Sequence, residues 1–174
     1  MVLAAIVVVG MVVRLAADGA GWWRVESTGS EVIVAQHQAY APLEGNMDFL
    51  GYDLPRASAR PGQSVPVTLY WKATAPVGRD WRVFVHVIGF DGQLWGQSDR
   101  ENPADFPTGR WPLDHYVRDE HSVQIRSDAP AGVYRIVAGL WDGDTGVRLR
   151  VLGPDGLATA QDGIAFTEGF TVRP

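Results

Sequence analysis

Residues 116–142 read YVRDEHSVQIRSDAPAGVYRIVAGLWD. Two runs that alternate with period two, YVRDEHSVQI and VYRIVAGLW, flank the turn SDAPAG, and the pattern predicts an antiparallel hairpin. In the second run Tyr134, Ile136, Ala138 and Leu140 share one face, with Arg135 and Val137 on the other. A strand with one apolar face belongs to a half-buried sheet, so Tyr134 is expected in the core of a two-layer β domain.

Outward from this stretch the chain keeps the same habit. SVPVTLYWKA puts Val65, Val67, Leu69 and Trp71 on one side and Pro66, Thr68, Tyr70 and Lys72 on the other, which makes Trp71 a core anchor. WRVFVHVIGF is apolar on both faces, as in a central strand. Asp91-Gly92 in GFDGQ supplies the positive φ of a hairpin turn. Gln97 to Asp114, with three prolines and no alternation, reads as a long loop held by Trp111. VRLRVL, the turn GPDG and IAFTEGFTVR close the sheet. The fold expected is all-β, an immunoglobulin- or fibronectin-III-like antiparallel sandwich of about seven to nine strands over residues 47–174.

Composition agrees with this and excludes several functions. The 174 residues suffice for one domain with an appendage, and 20 Gly and 11 Pro spread along the chain suit short strands and tight turns. With no Cys there is neither a disulfide framework nor a thiolate metal site. A net charge of −5 without a basic run argues against nucleic acid as a partner.

The first residues differ from all that follows. MVLAAIVVVGMVV is uncharged, Arg14 interrupts, and Trp22 and Trp23 follow. A signal peptide would begin with a basic residue, and none precedes the apolar run. The reading is a membrane helix or anchor over 1–23 with Trp22 and Trp23 at the interface, although the apolar run is short of the roughly 20 residues of a span. A polar linker over 24–46 follows, with EVIVA as its one edge-strand stretch.

The order FLGYDL, VPVTLYWKA, FVHVIGFDGQ, RWP, VRDEH, PAGVYRIVAGLWD and RLRVLGPDG, over about residues 48–172, resembles the C-terminal β-sandwich domain of large bacterial multi-span glycosyltransferases. Those enzymes are similar to protein mannosyltransferases. The resemblance implies an extracytoplasmic accessory domain on the cell membrane, preceded by the last membrane helix of such an enzyme. The family's catalytic acidic residues belong to its membrane portion, so no catalytic residue carries over.

Asp119 and His121 share a strand face with Val117, Val123 and Ile125, and His86 lies between apolar neighbours. Where strands meet, the three admit a metal or acid–base site, but buried polar groups must find partners, and the expectation is a hydrogen-bonded structural group in the core. DGDTG at 142–146 lacks the later ligands of a calcium loop and reads as a turn. No nucleophile elbow or phosphate loop is present, so neither an enzyme, a metal site nor a cofactor is expected. Three functions remain: an accessory domain of a glycosyltransferase-like membrane protein, a carbohydrate-binding module, or a structural subunit docked on other membrane-protein subunits. For the second, with cell-surface glycans as partners, the candidate rings are Trp81, Trp95, Trp111 and Trp141, which fall at strand ends or in loops.

Overall fold

The computed structural model describes Val32 and residues 34–113 and 115–174. The expected helix at 1–23, with Trp22 and Trp23, and the first part of the linker lie outside the described residues. Among the described residues no helix is long and apolar enough to cross a membrane.

The domain is all-β. Its strands are β1 (His37–Leu43), β2 (Met47–Asp53), β3 (Ser58–Ala59), β4 (Ser64–Ala73), β5 (Arg82–Gly89), β6 (Leu94–Arg100), β7 (Tyr116–Ile125), β8 (Gly132–Trp141), β9 (Ile164–Ala165) and β10 (Phe170–Val172). They form one curled sheet in the order β1-β2-β4-β7-β6-β5-β8-β10-β3, with β9 beside β8. The curl brings β2, β4 and β7 across the main core from β5 and β8. The backbone link between the two halves is short: the β6–β7 ladder consists of Gly96 with Ile125 and Gln97 with Gln124. The sheet is thus continuous through this link, where the expected sandwich would have two separate sheets.

The alternation read from the sequence sets the core. Val65, Val67, Leu69 and Trp71 of β4 are buried, as are Val117, Val123 and Ile125 of β7 and Tyr134, Ile136, Ala138 and Leu140 of β8. Val83, Val85 and Val87 of β5 complete the inner face. On the outer face of β5, Phe84 is buried too, because its ring lies over Gly139, the residue opposite it on β8. A Cβ at Gly139 would stand 2.6 Å from that ring. The strand is apolar on both faces because both are covered.

One expectation is corrected. β7 and β8 do not form a hairpin: β7 pairs with β4 from Ser64–Gln124 to Lys72–Tyr116, while β8 pairs with β5 from Arg82–Trp141 to Gly89–Tyr134. In the sheet β6 and β5 stand between them. The connecting turn arches over the end of the core, held where Arg126 N–H donates to the Trp95 carbonyl (2.9 Å) and the Tyr134 hydroxyl donates to the Pro130 carbonyl (2.5 Å). The Asp91-Gly92 hairpin does form, with Gly92 at φ +75° joining β5 to β6.

Two boundaries also differ. β1 begins at His37 and pairs with β2, so a strand lies inside the stretch read as linker, and EVIVA is not that strand. The first residues of the long loop, Gln97–Arg100, belong to β6. The remainder carries two short 3-10 turns, Pro103–Asp105 and Thr108–Arg110, and Trp111 is buried beneath it, donating from Nε1 to the Phe106 carbonyl (2.8 Å).

Candidate functional site

Two histidine–carboxylate pairs lie on opposite faces of the sheet. The inner pair is Asp119 and His121 of β7, neighbouring inward positions on one strand. His121 Nε2 is 2.9 Å from Asp119 Oδ2, and both side chains are 0% exposed. Since a carboxylate only accepts, Nε2 carries the proton, and in the neutral ring Nδ1 accepts the hydroxyl of Ser98, 2.9 Å away on β6. Asp119 Oδ2 also accepts Trp71 Nε1 at 3.3 Å, while Oδ1 accepts the Ala104 N–H at 2.7 Å. That last bond holds the loop where Ala104 and Asp105 adopt left-handed φ of +54° and +53°, conformations that non-glycine residues keep only when something fixes them.

Ser98, His121 and Asp119 therefore stand in the order of a nucleophile relay. With the imidazole and carboxylate sealed, the arrangement has no open face for a substrate. Its partners tie β4, β6, β7 and the following loop together across the core.

The outer pair is His86 of β5 and Asp99 of β6. His86 Nε2 donates to Asp99 Oδ1 at 3.1 Å, with side chains 15% and 41% exposed. The sequence reading places His86 in the core with Asp119 and His121. The structure separates them, because Val83, Val85 and Val87 take the inner side of β5 and turn His86 outward. Partial burial lowers the His86 pKa, the Asp99 carboxylate opposes this, and the nearby Arg148 charge adds to it.

His86 and Asp99 form one side of a groove of about 230 Å³ whose lining also includes Phe84, Trp141, Gly146 and Arg148. Arg148 lies over Phe84, its guanidinium carbon 4.2 Å from the ring centroid, and Arg82 sits 5.2 Å over Trp141. Stacking of this kind positions a guanidinium while leaving its edge for hydrogen bonding. Their carboxylate partners, Asp162 at 3.8 Å and Glu101 at 3.7 Å, stand beyond hydrogen-bond distance. The groove thus joins the half-buried ring of Trp141 to donors and acceptors on one rigid sheet face, with Phe84 buried beneath Arg148.

The four candidate tryptophans divide. Trp81 and Trp111 are buried, at 8% and 6% exposure, and present no open face; Trp81 Nε1 is a buried polar atom without a hydrogen-bond partner. Trp95 is half-buried, with its Nε1 3.3 Å from both Asp91 oxygens and Arg126 stacked 4.8 Å above it, so it braces the β5–β6 turn. Trp141 alone of the four lines the groove.

Other hollows offer different chemistry. A polar cleft of about 550 Å³ adjoins the groove at Arg82, between Arg79, Asp80, Asn102 and the turn at Asp142–Thr145. In that turn Asp142 Oδ1 accepts the N–H groups of Asp144 (2.9 Å) and Thr145 (3.2 Å), and Arg79 pairs with its other oxygen. The two N–H donors and then Arg79 hold its pKa below the usual carboxylate value. DGDTG is accordingly a self-satisfied turn, and among the described residues no cluster of His, Cys, Asp or Glu is arranged to hold a metal ion. A third hollow, about 720 Å³, lies beside Asp53, Thr68, Arg118 and Glu120 and has no Trp, Tyr or Phe in its lining.

The fold has a solved counterpart. The chain resembles the C-terminal domain of Wzt, with a TM-score of 0.51 over 78% of each chain. At 14% identity the likeness to the Wzt domain shows the fold alone. No family model matches the chain, and no curated protein matches it.

Neither the Wzt likeness nor the sequence reading points to Phe84, Asp99, Arg148 or Ser98. One signal for two of them was present. Counting outward from the Asp91-Gly92 turn places Phe84 opposite Asp99 and Val85 opposite Ser98, the register that forms. Arg148 carries no such signal, since it reaches the groove from an irregular segment that touches the sheet through isolated bridges, Arg148 with Trp141 and Val151 with Leu43.

Proposed function

We propose that this chain is a non-catalytic, membrane-tethered binding domain, and that the ligand held on its outer face is carbohydrate. The observation that carries the reading is the groove of Trp141, Phe84, His86, Asp99 and Arg148. A sugar presents an apolar ring face and a rim of hydroxyls, and suits a site with an aromatic plane and a few convergent polar groups. The His86–Asp99 pair and Arg148 supply acceptors and donors in fixed positions.

The non-catalytic part rests on the sealing of Asp119 and His121 in the core. The tether rests on the apolar residues 1–13 with Trp22 and Trp23, and the extracytoplasmic side on the resemblance to accessory domains of membrane glycosyltransferases. In that setting the domain would hold a glycan beside an enzyme whose catalytic residues lie elsewhere.

Titration of the purified full chain, in detergent, with soluble mannan, dextran and galactan, followed by tryptophan fluorescence and calorimetry, tests the binding. At least one polysaccharide is expected to bind, and Trp141→Ala to weaken it by about 2 kcal/mol, as for a central aromatic anchor. Saturable binding that Trp141→Ala leaves unchanged would place the site elsewhere, and no binding by any polysaccharide would refute the carbohydrate reading. For the tether, fractionation of cells should find the full chain in the membrane, with the domain open to added protease.

A further inference from the structure

We infer that the ligand is a linear chain of several sugar units laid along β5, with Arg82 as the bridge between two subsites. This rests on the carbohydrate reading above and deepens it.

The first observation is size. The groove alone, about 230 Å³, falls below the roughly 300–1,000 Å³ of ordinary small-molecule sites. The cleft beside it, about 550 Å³, lies within that range.

The second is continuity. Arg82, Phe84 and His86 are successive outward residues of one strand, which spans about 13 Å from Arg82 to His86. Arg82 lines the cleft, and its guanidinium lies over Trp141, which lines the groove. Gly143 makes this possible, because a Cβ there would run into the Arg82 side chain.

The third is the division of chemistry. The groove holds the half-buried ring of Trp141, suited to one sugar face, whereas the cleft offers Arg79, Asn102, Asp80, Glu101 and Asp144, suited to the hydroxyl rims of neighbouring units. A single sugar could use one set or the other. Only a chain several units long uses both at once, and linking two subsites raises affinity through effective concentration.

The test is a length series of manno-, gluco- and galacto-oligosaccharides of one to six units, titrated against the full chain by calorimetry. In the series that binds, affinity is expected to rise at least tenfold between the single sugar and the tetramer and then to level off. Arg82→Ala should abolish the rise, and so should Glu101→Ala in part, at an exposed position where folding is not at stake. Each variant is checked by its melting curve. Affinity that is flat with length, or a rise that survives both substitutions, would overturn the two-subsite inference while leaving carbohydrate binding intact. No binding at any length would overturn both.

Discussion

The two histidine–carboxylate pairs are the same chemical unit in opposite surroundings. His121–Asp119 is fully buried, at 2.9 Å, and each of its atoms faces another protein group: Ser98, Trp71 or the Ala104 backbone. His86–Asp99, at 3.1 Å, is partly open and has two stacked guanidiniums nearby, Arg148 and Arg82. A polar group that is saturated inside a core adds shape specificity to the fold, whereas one with free valences at a surface can recognise a ligand. The difference comes from the sides of two strands and not from the residues.

The largest way to break the comparison is at the inner pair. Asp119→Ala strands the imidazole of His121, the indole N–H of Trp71 and the Ala104 amide, and should cost about 3–5 kcal/mol. By denaturant unfolding the same substitution at Asp99 should cost less than about 1 kcal/mol, the range of exposed ion pairs. Equal losses at the two positions would show that burial does not separate them. Ser98→Ala comes next, at about 1–3 kcal/mol, because it removes the donor to a buried ring nitrogen.

The smallest effect is on pH dependence. The His86 pKa is lowered in the folded state, first by burial, with Arg148 adding to this against Asp99. As pH falls below the ordinary imidazole value of about 6.5, the unfolded chain takes up a proton that the folded one resists. The contribution of His86 is therefore intact above that value and lost progressively down to the lowered folded pKa. His86→Gln should flatten the slope of stability against pH in that window, and an unchanged slope would show that His86 titrates alike in both states.

The inner half of this comparison was legible in the sequence and the outer half was not. Strict alternation in SVPVTLYWKA, YVRDEHSVQI and VYRIVAGLW fixes which side chains enter the core, and Trp71, Asp119, His121 and Tyr134 follow from it. Alternation does not say which strand lies beside which. The turn after Ile125 therefore looked like a hairpin, although the chain crosses to the other half of the sheet. In WRVFVHVIGF both faces are apolar, so nothing local told which side His86 takes. The groove was harder still, since it needs the β5–β6 register, the room at Gly139 and an arginine from an irregular segment more than 60 residues along the chain from Phe84 and His86. The four tryptophans show the same limit: loops and strand ends place a ring near the surface, yet burial separates Trp81 and Trp111 from Trp141.

The central claim is that ligand meets the outer face and never the inner pair. It is tested most directly by labelling the tryptophan and histidine rings with nitrogen-15 and recording their resonances during titration with the polysaccharide that binds. The account predicts that the signals of Trp141 and His86 shift together and saturably, while those of Trp71 and His121 stay where they are. Shifts at Trp71 and His121 with Trp141 and His86 unmoved would contradict it.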